Sequence, residues 1–195
     1  FQGDELMGKT VGLVGAGFIG QEIAKRVAAL GMKVIAFDPY AKADQLAKLS
    51  ITSVGIDELA GQSDFVVMAA KVTPESTGLF GAKQFAAMKR SAYFINTARA
   101  ALVDYDALFQ ALSQKKIAGA GLDVYPTEPL PGDSPFRKLT NVVLSPHLAG
   151  ATREVVEHHS KMVVDDLLGL LDGKVPTRLA NPTVMDEFMK SGGLK

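Results

Sequence analysis

The sequence contains no cysteine and no tryptophan among its 195 residues. Without thiols it forms no disulfide and no thiolate metal site, so no metal centre is expected and a reducing, cytoplasmic setting is. Neither sign of charge is in excess, since Lys plus Arg and Asp plus Glu each number 21. That balance offers no basic field to nucleic acid or to an anionic membrane surface, so neither is an expected partner. No apolar run approaches the roughly 18 residues that a membrane helix requires, and no signal-peptide pattern is present. Phe1-Gln2-Gly3 resembles the remnant of a cleavable purification tag, so residues 1–3 are expected to stand outside the fold. The remainder is ordinary for a globular protein: 47% hydrophobic and 22% charged, enough to build one sizeable core.

Within that composition, short apolar runs alternate with amphipathic stretches. Strands are expected at 10–14, 33–37, 64–69, 92–96, 118–124 and 141–145. Most are too apolar to present a wet face, which suits a parallel sheet covered on both sides. Helices are expected at 20–30, where Ile23, Val27 and Leu30 recur at helical spacing, and at 104–113, which opens on the capping residue Asp104. The alternation predicts an α/β fold, a doubly wound parallel sheet of the Rossmann type. From 152 to 171 one long helix is expected, with Val155, Val156, His159, Met162, Val163, Leu167 and Leu170 on an apolar stripe suited to packing. Pro176 and Pro182 mark an irregular tail, so the domain is expected to occupy 4–175 and the tail 176–195.

The stretch TVGLVGAGFIG contains a G-x-G-x-x-G turn between an expected strand and an expected helix. Gly15 permits the sharp turn, Gly17 admits a pyrophosphate close to the backbone, and Gly20 allows tight helix–strand packing. Anionic phosphates are favoured there by free N–H groups and the helix dipole. Asp38 ends the next strand 18 residues beyond Gly20. That is close to the spacing of about 20 expected for the acid on an adenosine ribose. An acid at this position repels a 2′-phosphate, which favours NAD as cofactor over NADP.

Other unusual polar residues also follow strands, where ligands of open parallel sheets bind. Arg99 follows the fourth expected strand across Thr97-Ala98, Asp123 lies at the end of the fifth with Glu128 in the loop after it, and His147 follows the sixth. An Arg, a Glu and a His on a rim that also holds a dinucleotide suggest hydride chemistry on a carbonyl or hydroxy acid.

The segments VGLVGAGFIG, TPESTGLFG, FINTARAALVD, AGAGLDVYPTEPLP and VVLSPHLAGAT, in this order, resemble the D-2-hydroxyacid dehydrogenase family. The likeness runs from about Gly8 to Asn181 and is strongest to phosphoglycerate and glyoxylate/hydroxypyruvate-type members. It implies a small 2-oxo or 2-hydroxy acid as substrate and a homodimer formed through the NAD-binding domain. It implies further that Arg99 holds the substrate carboxylate, that His147 is the general acid or base, and that Glu128 fixes the His147 tautomer. Cofactor contacts are implied for the turn, including Phe18 and Ile19, for Asp38 with Pro39, and for Lys71. The same is implied for Thr97, Ala98 and Gly150, with Asp123 at the nicotinamide end.

The chain departs from the family pattern in two places. It reads AAKVTPEST where PLTPET with a preceding His is usual, so Lys71 replaces a proline and Ala69 stands at the His position. Ala100 and Ala101 replace glycines after the catalytic Arg. Family members also carry a substrate-binding domain, built mainly from the residues that precede the first strand seen here. The expectation is therefore a cofactor domain that binds NAD but turns over substrate weakly or not at all. Two other readings of the scaffold remain open at this point, an NAD(H)-sensing corepressor-like protein and a phosphite-type dehydrogenase.

Overall fold

The computed structural model describes residues 3–176, 178, 179 and 181–191, so Phe1 and Gln2 of the expected tag lie outside the described residues. Seven strands form one sheet: Thr10–Val14 (β1), Lys33–Phe37 (β2), Ile51–Ser53 (β3), Phe65–Met68 (β4), Tyr93–Asn96 (β5), Gly119–Leu122 (β6) and Val142–Leu144 (β7). The order is β3-β2-β1-β4-β5-β6-β7, and every pairing is parallel. The helices are Phe18–Ala29 (α1), Ala43–Lys48 (α2), Ile56–Gln62 (α3), Ala82–Ala87 (α4), Tyr105–Ser113 (α5), Arg153–Leu171 (α6) and Val184–Lys190 (α7). The doubly wound parallel sheet is as the alternating pattern predicts. β3 and the short helices α2 to α4 add to it without having announced themselves, since three to seven residues are too few to carry a clear period.

Side-chain alternation along the strands divides the core between two faces. Val14, Val66, Met68, Phe94, Ala120 and Leu122 join a cluster with Leu59, Phe85, Leu108 and Leu112 of α3, α4 and α5. Phe80, Phe85 and Phe94 meet there with ring centroids 4.9 to 5.1 Å apart. Val11, Leu13, Val34, Ala36 and Val67 pack on the opposite face with Ala24 of α1 and Leu46 of α2. That second face is covered only in part, contrary to the expectation of a sheet buried on both sides. Val143 of β7 is 75% exposed and Tyr93 of β5 is 45% exposed. Both alternate with residues that pack on the covered face.

The chain divides into two compact units, Phe1–Ala149 and Gly150–Lys195, with the break ahead of α6. Asp104 caps α5 by accepting the Ala107 N–H at 2.9 Å, as its position predicts. Thr152 caps α6 in the same way through the Val155 N–H. α6 buries none of its residues, so His159 is exposed rather than part of a core. The stretch after Pro182, expected to be irregular, forms α7. Within the second unit Arg178 donates to Asp166 of α6 at 3.0 Å.

Candidate active site

Because the strands all run the same way, their carboxyl ends share one edge of the first unit. Strand order reverses between β1 and β4, the switch point at which such sheets bind ligands. A cleft of about 940 Å³ opens there. Gly15, Gly17, Phe18 and Ile19 line it from the first turn, and Phe37, Asp38, Pro39 and Tyr40 from the end of β2. The end of β4 contributes Ala69, Ala70, Lys71 and Val72, and the end of β5 contributes Thr97, Ala98 and Arg99.

The first turn is shaped by close backbone approach. Gly15 has φ +100°, and a Cβ on it would lie 2.5 Å from the Ala70 nitrogen. A Cβ on Gly20 would lie 2.3 Å from the Gly15 carbonyl oxygen, so Gly20 serves helix packing and does not itself line the cleft. Gly17 is the N-cap of α1 and offers no side chain to the first-turn N–H groups, while the space a Cβ would enter there is open. The positive end of the α1 dipole is thus available to an anion.

Asp38 is fixed at the end of β2 by main-chain donors. Its Oδ2 accepts the Ala16 N–H at 2.8 Å, and its Oδ1 accepts those of Tyr40 and Ala41 at 2.9 and 3.2 Å. The carboxylate therefore ties the glycine turn to the β2 loop as well as bordering the cleft. In the loop after β4, the Ser76 hydroxyl accepts the Thr73 N–H and donates to the Lys71 carbonyl, each at 2.8 Å, which sets the path on which exposed Lys71 stands.

The ends of β6 and β7 bring together a second group. His147 Nδ1 and Glu128 Oε2 are 2.8 Å apart, and Glu128 Oε1 accepts the Tyr125 N–H at 2.9 Å. The bond to His147, with the Tyr125 N–H second, holds the Glu128 carboxyl below the usual glutamate range. His147 itself adopts φ 56°, a left-handed conformation that costs a non-glycine residue about 1 kcal/mol or more. Its N–H is held by the Asp123 carbonyl at 2.9 Å. Asp123 is 2% exposed and organises this turn further. Its Oδ1 accepts the Ser145 hydroxyl at 2.6 Å and the Leu148 N–H at 2.8 Å, and its Oδ2 accepts the Ala149 N–H at 2.9 Å. Burial alone would raise the Asp123 carboxyl, but these donors outweigh it and hold it below the ordinary value.

Arg99 is exposed at the cleft and donates to the Ala98 carbonyl, and it forms no salt bridge among the described residues. The geometry thus gathers Gly15, Gly17, Asp38, Pro39, Lys71, Thr97, Ala98 and Arg99 about one cleft, and Asp123, Glu128 and His147 about the adjoining strand ends. Gly150 opens the second unit. Sequence reasoning passed over Tyr40, Val72 and Leu79 in the cleft lining, and Asn96, Tyr105 and Ser145 behind it. Asn96 and Ser145 lie inside the quoted motifs, but no local pattern marks their partners.

The family described as D-isomer specific 2-hydroxyacid dehydrogenase, NAD binding domain, matches residues 1–149. The chain belongs to this family. A glyoxylate reductase from Korarchaeum cryptofilum is 39% identical over 183 residues, covering 94% of this chain and 55% of that protein. A D-3-phosphoglycerate dehydrogenase from Archaeoglobus fulgidus is 39% identical over 180 residues, 92% of this chain and 34% of that protein. The crystal structure of a D-isomer specific 2-hydroxyacid dehydrogenase from Lactobacillus delbrueckii ssp. bulgaricus, in its NAD-complexed form, superposes with a TM-score of 0.81 at 32% identity. That match covers 92% of this chain and 58% of the other. The chain therefore spans about half, or about a third, of the length of these relatives.

Proposed function

We propose that the protein carrying this chain is an NAD-dependent oxidoreductase that interconverts 2-oxo acids and D-2-hydroxy acids. The observation that carries the reading is the His147–Glu128 pair at 2.8 Å, set on the same strand-end edge as the cleft and the Arg99 guanidinium. The cleft suits a dinucleotide because the space over Gly17 is open at the α1 N-terminus and Asp38 is held by three main-chain donors. An acid so fixed opposes a 2′-phosphate, which supports NAD over NADP. Bound there, the nicotinamide cofactor supplies hydride to the C2 carbon of a 2-oxo acid or accepts it from a 2-hydroxy acid.

The chain's own residues do the rest. Arg99 offers a planar pair of donors to the substrate carboxylate. His147 commits Nδ1 to Glu128, so Nε2 is the atom that gives a proton to the ketone oxygen in reduction and takes it back in oxidation. The carboxylate of Glu128 stabilises the charged ring and sets its tautomer. An NADH-coupled screen of 2-oxo acids tests the reading. Oxidation of NADH by glyoxylate or by hydroxypyruvate-like acids is expected. Capture of NADH without turnover of any 2-oxo acid would refute it.

We also infer that copies of the protein associate through this domain. The support is the partly uncovered sheet face, where Phe65 of β4 and Tyr93 of β5 stack at 5.8 Å and Val143 stands exposed on β7. Sedimentation giving a monomer at all concentrations would count against it.

A further inference from the structure

Between the Arg99 turn and the Glu128–His147 pair lies a buried relay of hydrogen bonds. Asn96, the last residue of β5, is fully buried. Its Oδ1 accepts the Ala98 N–H at 3.1 Å, and its Nδ2 donates to the Arg99 carbonyl at 3.2 Å and to the Tyr105 hydroxyl at 3.4 Å. Tyr105 opens α5 and donates its O–H to the carbonyl of Val124. Val124 stands between Asp123, which gathers the Ser145–Ala149 turn, and Tyr125, whose N–H holds Glu128. The two amide protons of Asn96 and both roles of the phenol are therefore spent inside the relay.

We propose that Tyr105 is a positioning residue, whose hydroxyl locks the Arg99 turn against the loop that presents Glu128 and His147. The inference rests on the roles given above to Arg99 and His147. The ring alone is enough to fill the space, since it packs edge-on against Phe136 at a centroid distance of 5.7 Å. The hydroxyl adds something different: a fixed distance between a group that holds substrate and a group that moves its proton. Errors of about 1 Å in such a distance cost on the order of a hundredfold in rate. Burial pushes the Tyr105 phenol above its ordinary range, so it remains a donor throughout the neutral region.

The test is Tyr105→Phe, read first in this chain by a carbon-detected titration of the Glu128 carboxyl. The charged groups that bear on Glu128 are His147, in contact, and Asp123 behind it. Loss of the lock should let the loop relax and move the Glu128 titration up, toward its ordinary value. Glu22, held at about 2 by Arg26 and Lys25 on α1, should not move and serves as the internal control. In turnover of a 2-oxo acid, kcat should fall about tenfold while NADH affinity stays within about twofold. A folded Tyr105→Phe protein whose Glu128 titration is unmoved would overturn the proposal, whatever its stability. Should that variant not fold, Asn96→Ser cuts the same relay and is judged by the same titration. Because the titration needs no turnover, it decides the point even if the 2-oxo acid screen fails.

Discussion

The two halves of the strand-end edge are built from different materials. Around β1, β2 and β4 the cleft is shaped by main chain: a glycine turn held against Ala70, and amide donors that converge on Asp38. Around β5, β6 and β7 it is shaped by side chains, with Asn96, Tyr105 and Asp123 buried behind Arg99, Glu128 and His147. The first half presents donors to an anion whatever most of its side chains are. The second holds Arg99, Glu128 and His147 in place through buried side chains bonded to the surrounding main chain. Substitutions should divide accordingly into those that remove the cofactor and those that leave it bound but idle.

His147→Gln should have the largest effect. Loss of a positioned acid or base lowers rates by about 10²- to 10⁴-fold. Steady-state kinetics should show that fall in kcat, while a fluorescence titration shows NADH binding within about twofold. A comparable loss of NADH affinity would break the division between the halves. Gly15→Val should do the opposite. Its φ of +100° and the 2.5 Å approach to Ala70 leave no room for a side chain. The turn should open, with loss of NADH binding and of about 3 kcal/mol of stability in urea unfolding. Retention of full cofactor affinity in that variant would remove the turn from the site.

Asp123→Ala probes the second half through its frame rather than its reactive atoms. Removing a buried acceptor of three bonds should cost about 2 kcal/mol and free the His147 backbone from its left-handed conformation. The pH dependence has a definite sign. The native carboxyl titrates below its ordinary value of 3.8, so its stabilisation is complete above that pH and lost as pH falls through the lowered native value. Acid unfolding below pH 3.8 should therefore be less steep in Asp123→Ala than in the unmutated protein. Equal slopes by circular dichroism would show that the carboxylate contributes nothing there.

The same division decides what the sequence could disclose. The glycine turn and Asp38 are legible because their requirement is local: a backbone conformation, a close approach, and an acid one strand later. β1, β2 and β4 to β7 are legible because each is a short apolar run between turns. Arg99, Glu128 and His147 stand out as polar residues at strand ends and through the quoted motifs. Tyr105 is invisible by comparison, since its partners are 9 and 19 residues away. The Ser145–Asp123 bond spans 22 residues and is hidden for the same reason. The apolar stripe of α6 is legible only as a shared face: periodicity predicts which side chains lie together on a helix, and not what they pack against.

The smallest effect on stability should come from the uncovered sheet face, and it sharpens the contrast from outside the cleft. Val143 is 75% exposed and makes no part of either core cluster, so Val143→Lys should change the stability of the monomer by no more than about 0.5 kcal/mol. The residue is nonetheless flanked by Val142 and Leu144, which pack on the covered face, so the β7 backbone should keep its register. If copies of the chain meet over this face, the added charge must be buried or exposed at their expense, and association should weaken while melting of the separated monomer does not change. Sedimentation at several concentrations, paired with thermal unfolding, separates the two quantities. Unaltered association in Val143→Lys would move the interface away from β7. A fall in monomer stability beyond about 1 kcal/mol would mean that this strand's outer face already packs within the single chain.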